Sequence, residues 1–414
     1  MLESFELTSQ RYEYFCYERN YEMSDCIRRY FQKEINRIKN GKSSVDFIYL
    51  KFCGDNEDFR KNKLTDEQVK GLCIVLEEDV SVKSLDLRYN LISDEGAIYL
   101  RSLLLRNRTI VELNLMGNDI GEMGAERISD ALAGNSTLKI LKLTGNKFGD
   151  YGAMLFASAL QINDCLEEID LGECDLEIQS VIAYTTMLEC NKTLKSINLD
   201  RPLLKTQQEE FSGHIEQMLY LNKTLKEIHI AKYEMRDIGT RHICDALLIN
   251  RSLTVLDLSC NRITSDGALH LAKVLKFNTP LEILDLGYNR IHDQGIQAIA
   301  GSLRYCNTRL KCLVIKYNEI EDEGLKAILT ALHENSTLEK IYIWGNKFTS
   351  KFIELFVSLV NFRISENKTD VRPYYVDGKY YFALLNHNND YRRYRYTAPA
   401  NGPEIPKNRF YAIT

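Results

Sequence analysis

Val82-Lys-Ser-Leu-Asp-Leu-Arg-Tyr-Asn90 is the stretch that decides the fold. Two leucines flank one polar residue, and an asparagine follows three positions later. The arrangement returns at Leu113-Asn-Leu115, Leu141-Lys-Leu143, Ile169-Asp-Leu171, Ile197-Asn-Leu199, Ile228-His-Ile230, Leu256-Asp-Leu258, Leu284-Asp-Leu286, Leu313-Val-Ile315 and Ile341-Tyr-Ile343. The second members are spaced by 28, 28, 28, 28, 31, 28, 28, 29 and 28 residues. A fixed period of this length marks a solenoid, whose repeats bury a core only by stacking. An irregular copy, Ile48-Tyr-Leu50, precedes the series.

Each unit predicts a strand, a turn, a helix and a loop. The turn asparagine recurs at Asn90, Asn118, Asn146, Asn261, Asn289, Asn318 and Asn346. Its amide both donates and accepts, so it can pair backbone groups that a buried turn leaves open. A glycine follows six residues later, as at Gly96, Gly124, Gly267 and Gly324, and then apolar residues at helical spacing, such as Ala97, Leu100, Leu103 and Leu104. A second asparagine closes each helix, from Asn107 to Asn335, where a left-handed C-terminal residue is expected. Strands stack about 4.8 Å apart and helices are about 10 Å across, so strands belong on the inside of a curve and helices on the outside. This is the leucine-rich-repeat pattern, and the long helix-bearing unit resembles the ribonuclease-inhibitor type. The expected class is an α/β leucine-rich-repeat solenoid, a horseshoe of about 10–11 repeats with a strand-lined concave face. An all-helical repeat would not explain the alternation beside each asparagine.

Composition narrows the function. The 414 residues carry a net charge of −5, which does not favour nucleic acid. Eleven cysteines occur without Cys-x-x-Cys pairs; Cys165, Cys190, Cys244 and Cys312 fall at or near core positions and are expected as buried free thiols. No basic region followed by an apolar run opens the chain, and no stretch approaches 18 apolar residues, which predicts a cytoplasmic or nuclear protein with no membrane partner. Asn-x-Ser/Thr sequons occur at seven positions, but six of these asparagines are simply the second asparagine of the repeat.

Three segments follow: 1–45 with a capping helix, 46–360 as the solenoid, and 361–414 as a hairpin cap and a basic tail. The amphipathic stretch 24–39 places Ile27, Tyr30, Phe31, Ile35 and Ile38 on one side, with Ser24 as N-cap. Residues 1–20 are read as loosely ordered. Two β-rich runs across Asp377-Gly378 predict a hairpin covering the last repeat. The tail contains Tyr391-Arg-Arg-Tyr-Arg-Tyr396, a composition suited to RNA or an acidic protein, although solvent exposure is the plainer reading. The turn asparagine is replaced by Cys174, Pro202 and Tyr233 in the middle of the chain, and three extra residues fall within 203–210. Proline removes a donor at that turn.

Leu199-Asp-Arg-Pro-Leu-Leu204, Ile341-Tyr-Ile-Trp-Gly-Asn-Lys-Phe348 and Thr369-Asp-Val-Arg-Pro-Tyr-Tyr-Val-Asp-Gly378 together resemble one group within the ribonuclease-inhibitor-type leucine-rich-repeat family. The resemblance spans roughly residues 80–385. It implies a non-enzymatic factor of germ and stem cells in the nucleus, the nucleolus and the cytoplasm. It carries over no catalytic residues.

The residues themselves suggest recognition rather than chemistry. The seven histidines show no metal-ligand spacing and no phosphate-binding loop is present, so no catalytic, cofactor-binding or metal residue is singled out. Strand alternation sends Asp86, Asn114, Lys142, Asp170, Asn198, His229, Asp257, Asp285, Val314 and Tyr342 into the concavity, with Glu112, Glu168, Asp200 and Glu227 in flanking columns. The candidate partner-binding residues are Asp170, Asp200, Asp257, Asp285, Tyr288, Tyr317, Tyr342 and Trp344. They make an acidic surface with an aromatic end, suited to a basic protein segment, and the isolated chain is expected to be monomeric. Two other functions share this repeat class: a GTPase-activating protein of the Ran type, testable by single-turnover GTP hydrolysis, and a ribonuclease-inhibitor-like inhibitor.

Overall fold

Alternation within each short strand points one residue into the core and its neighbours away from it. The inward residues Leu113, Leu141, Ile169, Ile197, Ile228, Leu256, Leu284, Leu313 and Ile341 are all fully or almost fully buried. A computed structural model describes residues 2–21, 23–40, 47–56, 59–203, 210–363 and 369–385 of the chain. It divides into two units, Met1–Lys205 and Thr206–Thr414, and the division falls where the 28-residue period slips to 31. Most of the extra residues, together with Leu204, lie outside the described residues.

The first unit opens with helices α1 (Leu2–Glu18) and α2 (Asp25–Lys39). Strands and helices then alternate: β1 (Ile48–Lys51), α3 (Asp66–Leu76), β2 (Val82–Asp86), α4 (Asp94–Arg106), β3 (Glu112–Asn114), α5 (Glu122–Gly134), β4 (Ile140–Lys142), α6 (Gly149–Ile162), β5 (Glu168–Asp170), α7 (Ile178–Cys190) and β6 (Ser196–Asn198). The second unit continues with α8 (Glu210–Leu221), β7 (Glu227–His229), α9 (Arg236–Leu247), β8 (Val255–Asp257), α10 (Ser265–Lys276), β9 (Ile283–Asp285), α11 (His292–Tyr305), β10 (Cys312–Val314), α12 (Asp322–Glu334), β11 (Lys340–Tyr342) and α13 (Ser350–Arg363). Within each unit consecutive strands pair in parallel and in register, as Leu113 with Leu141 and Leu256 with Leu284. A hairpin of β12 (Val371–Val376) and β13 (Lys379–Leu384) ends the described chain.

The turn asparagine acts across the repeat boundary. The Asn118 amide donates to the carbonyls of Leu115 (2.8 Å) in its own repeat and Leu87 (3.1 Å) in the one before, while its oxygen accepts from Ile92 N (3.3 Å). The residue before it is left-handed throughout: Tyr89, Gly117, Gly145, Glu173, Arg201, Lys232, Cys260, Tyr288, Tyr317 and Gly345 all have positive φ. Thus the turn persists even beside Cys174, Pro202 and Tyr233. The Cys174 thiol reaches the Leu143 carbonyl at 3.2 Å in the amide's place.

The helix-closing asparagines differ from expectation. Asn107, Asn135, Asn163, Asn191 and Asn335 are extended, with φ between −67° and −87°. Their side chains do the work instead. Asn107 donates to the carbonyls of Leu76 (2.7 Å) and Asp79 (3.0 Å) and accepts from Thr109 N and Ile110 N. Asn278 alone among these asparagines is left-handed, at φ 52°.

A second ladder joins the starts of neighbouring helices. The aspartate opening one helix accepts backbone N–H groups that open the next. Asp94 takes Gly121 N (2.7 Å) and Gly124 N (2.9 Å), and Asp237 takes Thr264 N (2.8 Å) and Gly267 N (3.0 Å). A Cβ at Gly124 or Gly267 would lie 2.6 Å from those carboxylates, while at Gly152 and Gly295 it would meet Ala125 and Ala268 of the preceding helix, so glycine lets adjacent helices start close together.

Residues 2–18 are helical rather than loosely ordered. Phe5 and Tyr12, one helical face apart, pack on Phe31 of α2 at 5.4 and 6.0 Å, and Phe31 meets Phe52 at 6.0 Å. At the other end Asp377 and Gly378 turn the hairpin with positive φ at both positions. Phe382 of β13 sits edge-on to Phe348 and Phe356, each at 5.0 Å. All eleven cysteines are free; Cys244 and Cys312 are buried as expected, but Cys165 is only half-buried and Cys190 is exposed at the last turn of α7.

Two outcomes follow for stability in urea. Asn261→Ala removes a fully buried amide that donates to the Ile230 carbonyl and accepts from Tyr233 N, and should cost about 2–4 kcal/mol. Phe382→Ala should cost about 3–5 kcal/mol and uncover the α13 rings to a dye that binds exposed apolar surface. A loss under 1 kcal/mol in either variant would contradict the assigned contact.

Candidate functional site

The sequence-predicted site residues fall in both units. Asp170 and Asp200 belong to the first, where Asp170 is half-buried and Asp200 buried. In that unit the strand face is not uniformly acidic. Lys142 Nζ lies 3.8 Å from Glu112 and 3.7 Å from Glu168 on the neighbouring strands and offsets both.

The remaining six lie in the second unit. Tyr288 and Tyr317 occupy the left-handed position before the turn asparagine, so they stand at the rim where the strands end. Their rings stack at 4.6 Å and 14°, and they remain 56% and 41% exposed. Strand β11 ends at Tyr342, and Trp344 lies in the turn beyond it. Its indole N–H donates to the Tyr317 hydroxyl at 3.1 Å, which extends the ladder by one ring. Gly345 makes this possible: a Cβ there would sit 2.4 Å from the Tyr317 ring.

Tyr342 is separate from that ladder. It is 2% exposed on the strand face, with the Lys316 ammonium 5.0 Å above its ring. Lys316 also reaches Asp370 at 3.5 Å, and burial raises the Asp370 carboxyl above its ordinary pKa. Asp257 and Asp285 lie on the same strand face and are buried.

His229 is the residue whose importance sequence reasoning missed. It is buried between Glu227, which its Nε2 contacts, and Asp257, 3.3 Å from Nδ1. Burial pushes its pKa down, but hydrogen bonds to Asp257 and Glu227 outweigh this and raise it to about 10. A doubly protonated imidazole donates to both carboxylates, so part of the acidity of this face is neutralised internally. The signal was the Glu-x-His spacing of Glu227 and His229 on one strand side, one repeat before Asp257.

The arrangement can hold a cation or a basic side chain beside exposed rings. None of these groups is set up as a nucleophile with an adjacent base. Among the described residues no helix is long and apolar enough to cross a membrane.

The family described as Leucine Rich repeat matches residues 80–100, 106–129, 134–157, 250–272, 277–300 and 306–329. The chain is built of leucine-rich repeats. It is similar to leucine-rich repeat-containing protein 34 of Mus musculus, 41% identical over 206 residues, or 50% of this chain and 49% of the mouse protein. The Rattus norvegicus protein of that name is 40% identical over 206 residues, covering 50% and 49%. The Homo sapiens protein is 40% identical over 190 residues, covering 46% and 41%. The leucine-rich-repeat chain thus spans about half the length of the curated relatives it matches. Solved structures with some likeness include Leiomodin-1 Actin-Binding Site 2, at 25% identity and TM-score 0.27 over 34% of this chain and 77% of that one. An internalin of Listeria monocytogenes shows 16% identity and TM-score 0.37 over 68% and 78%.

The His229 assignment has a pH signature. A pKa raised on folding adds stability that is complete below the unfolded value, about 6.5, and is lost as pH rises toward 10. His229→Leu leaves two carboxylates without their shared cation and should cost about 3–5 kcal/mol at pH 6. Urea unfolding between pH 6 and pH 10 should show a fall in stability in the unaltered chain that the variant lacks. Parallel profiles would show that His229 is not charged in the fold.

Proposed function

We propose that this leucine-rich-repeat chain is a non-enzymatic scaffold that binds a basic protein segment on the strand face and rim of its second unit. The observation that carries this reading is the Tyr288–Tyr317–Trp344 ladder, three rings held at an exposed rim by stacking and one hydrogen bond. Tyr and Trp are enriched among residues that dominate interface energy, and here their ordering precedes binding. Asp285, on the strand that leads into Tyr288, favours a cationic partner, whereas Asp257 already shares the His229 cation. Asp170 and Asp200 offer the same charge in the first unit. The likeness to leucine-rich repeat-containing protein 34 supports a nuclear, nucleolar or cytoplasmic setting in germ and stem cells, and the chain is read as a monomer between binding events. A Ran-type GTPase-activating role and ribonuclease inhibition rest on the shared repeat alone, and no observation favours either.

Binding of an arginine-rich dodecapeptide, followed by stopped-flow fluorescence at two salt concentrations, tests the division of labour. Trp344→Ala should weaken binding by about 2–4 kcal/mol, roughly thirty- to a thousand-fold, mainly through faster dissociation. Asp285→Asn should slow association and flatten its salt dependence. Rates unchanged in both variants would move the site elsewhere on the chain.

A further inference from the structure

The C-terminal ends of the helices in the second unit carry a row of apolar residues that the core does not use. Leu221 closes α8, Ile249 follows α9 and Phe277 follows α10, each one place before the helix-closing asparagine. Helix α11 is longer, and its last residue, Tyr305, stands two places before Asn307. The four are 48%, 58%, 65% and 72% exposed. The repeat does not require an apolar residue here, since Arg106, Gly134, Ile162 and Cys190 stand at this position in the first unit and Glu334 in α12. Solvated apolar side chains at one position in four consecutive repeats form a surface, where single ones would need no explanation.

Positive charge accompanies the row. The segments 219–225, 247–253, 275–281 and 303–310 contain five Lys/Arg and no Asp or Glu. Lys223 donates to the Tyr220 carbonyl at 2.6 Å, and Arg251 to the carbonyls of Leu248 (3.0 Å) and Asn250 (3.2 Å). These bonds hold each cation beside the last carbonyls of its helix and leave further N–H groups for a carboxylate. Lys276 and Arg309 are exposed along the same row, and Arg304 meets Glu334 at 2.6 Å where the row ends. We propose that this row binds an acidic amphipathic helix of a partner protein, whose apolar residues recur at every seventh position.

Spacing and charge select that occupant. Consecutive helices from α8 to α11 pack side by side, and packed helix axes lie about 8–10 Å apart. Seven residues of an α-helix rise about 10 Å and return to nearly the same face. One helix of about 22 residues therefore sets four apolar side chains against Leu221, Ile249, Phe277 and Tyr305 in turn. Carboxylates flanking those side chains meet Lys223, Arg251, Lys276 and Arg309. A lipid surface suits the row less well, because hydrocarbon would strip water from Lys223, Arg251 and the carbonyls they serve. The row differs from the Tyr288–Tyr317–Trp344 rim in place and in charge, since those rings stand where the strands end and beside a carboxylate.

The probe is a synthetic peptide of about 24 residues with leucine at every seventh position, glutamate on either side of each leucine, and alanine or glutamine elsewhere. It should bind the full chain, and Ile249→Ser/Phe277→Ser should weaken binding at least about ten-fold. Arg251→Glu/Lys276→Glu should weaken it by a similar factor and admit a lysine analogue of the peptide that the unaltered chain rejects. All four replaced residues are exposed, and urea unfolding checks that both variants fold. Trp344→Ala should leave the affinity for this peptide unchanged. No binding at about 1 mM peptide, or equal affinity in the unaltered chain and both double variants, overturns the proposal. A Trp344-dependent loss would place the peptide on the rim and overturn it as well. So would Phe277-dependent binding to phosphatidylserine vesicles without peptide binding, which would assign the row to a membrane surface.

Discussion

A buried asparagine amide that ties its own repeat to the preceding one is the interaction on which the rest of the molecule depends. Asn118 bridges the carbonyls of Leu115 and Leu87, and Asn146 repeats this one step on with Leu143 and Leu115. A single repeat would leave these groups unpaired inside the core, at about 1–3 kcal/mol each. Stacking is therefore an electrostatic requirement as well as a hydrophobic one. At several helices an opening aspartate adds a second bond of the same kind, since Asp94 serves the start of α5 rather than its own helix. Because every repeat is completed by its neighbour, both ends need a substitute neighbour. Phe5, Tyr12 and Phe31 supply one at the N-terminal end, and Phe382 against α13 supplies the other.

The fold was largely legible because period, alternation and asparagine are all local to the chain. Strand and helix order, the α2 cap and the Asp377-Gly378 hairpin follow from spacing and turn chemistry alone. What escaped notice were features defined by contact between repeats. Asn107 was assigned to the helix end for its tolerance of a left-handed backbone; its value lies in side-chain bonds to Leu76 and Asp79, some thirty residues away. The glycine column is visible in the sequence, but its cause, the close approach of the preceding helix through an aspartate at Gly124 and Gly267 or an alanine at Gly152 and Gly295, is not. Helix α1 was overlooked although Phe5, Thr8, Tyr12 and Cys16 already show the helical interval, because tyrosine and glutamate around them mask the stripe.

The candidate site was legible as residue types and less so as a surface. Counting carboxylates along the strands suggested a continuous acidic strip. The structure answers several of them from within: Lys142 between Glu112 and Glu168, and His229 between Glu227 and Asp257. A column of charges read from alternation shows which side chains share a face, but not whether an adjacent strand brings the opposite charge. The aromatic residues fared better. Tyr288, Tyr317 and Trp344 were grouped by sequence and do meet, although at the rim rather than on the strands.

The rim position itself bears on why those rings are there. The residue before the turn asparagine must be left-handed, a conformation that costs an ordinary residue about 1–2 kcal/mol relative to glycine. Glycine takes this position at Gly117, Gly145 and Gly345. Glu173, Lys232 and Cys260 accept the same backbone, so strain alone does not single out a site. What separates Tyr288 and Tyr317 from them is mutual stacking, the hydroxyl bond to Trp344, and the glycine at 345 that leaves room for the ring. A turn that needed only its backbone geometry would be served by glycine in all three repeats. Two tyrosines and one glycine in consecutive repeats, arranged so that the rings touch and stay exposed, indicate that the side chains are what this rim is built to present.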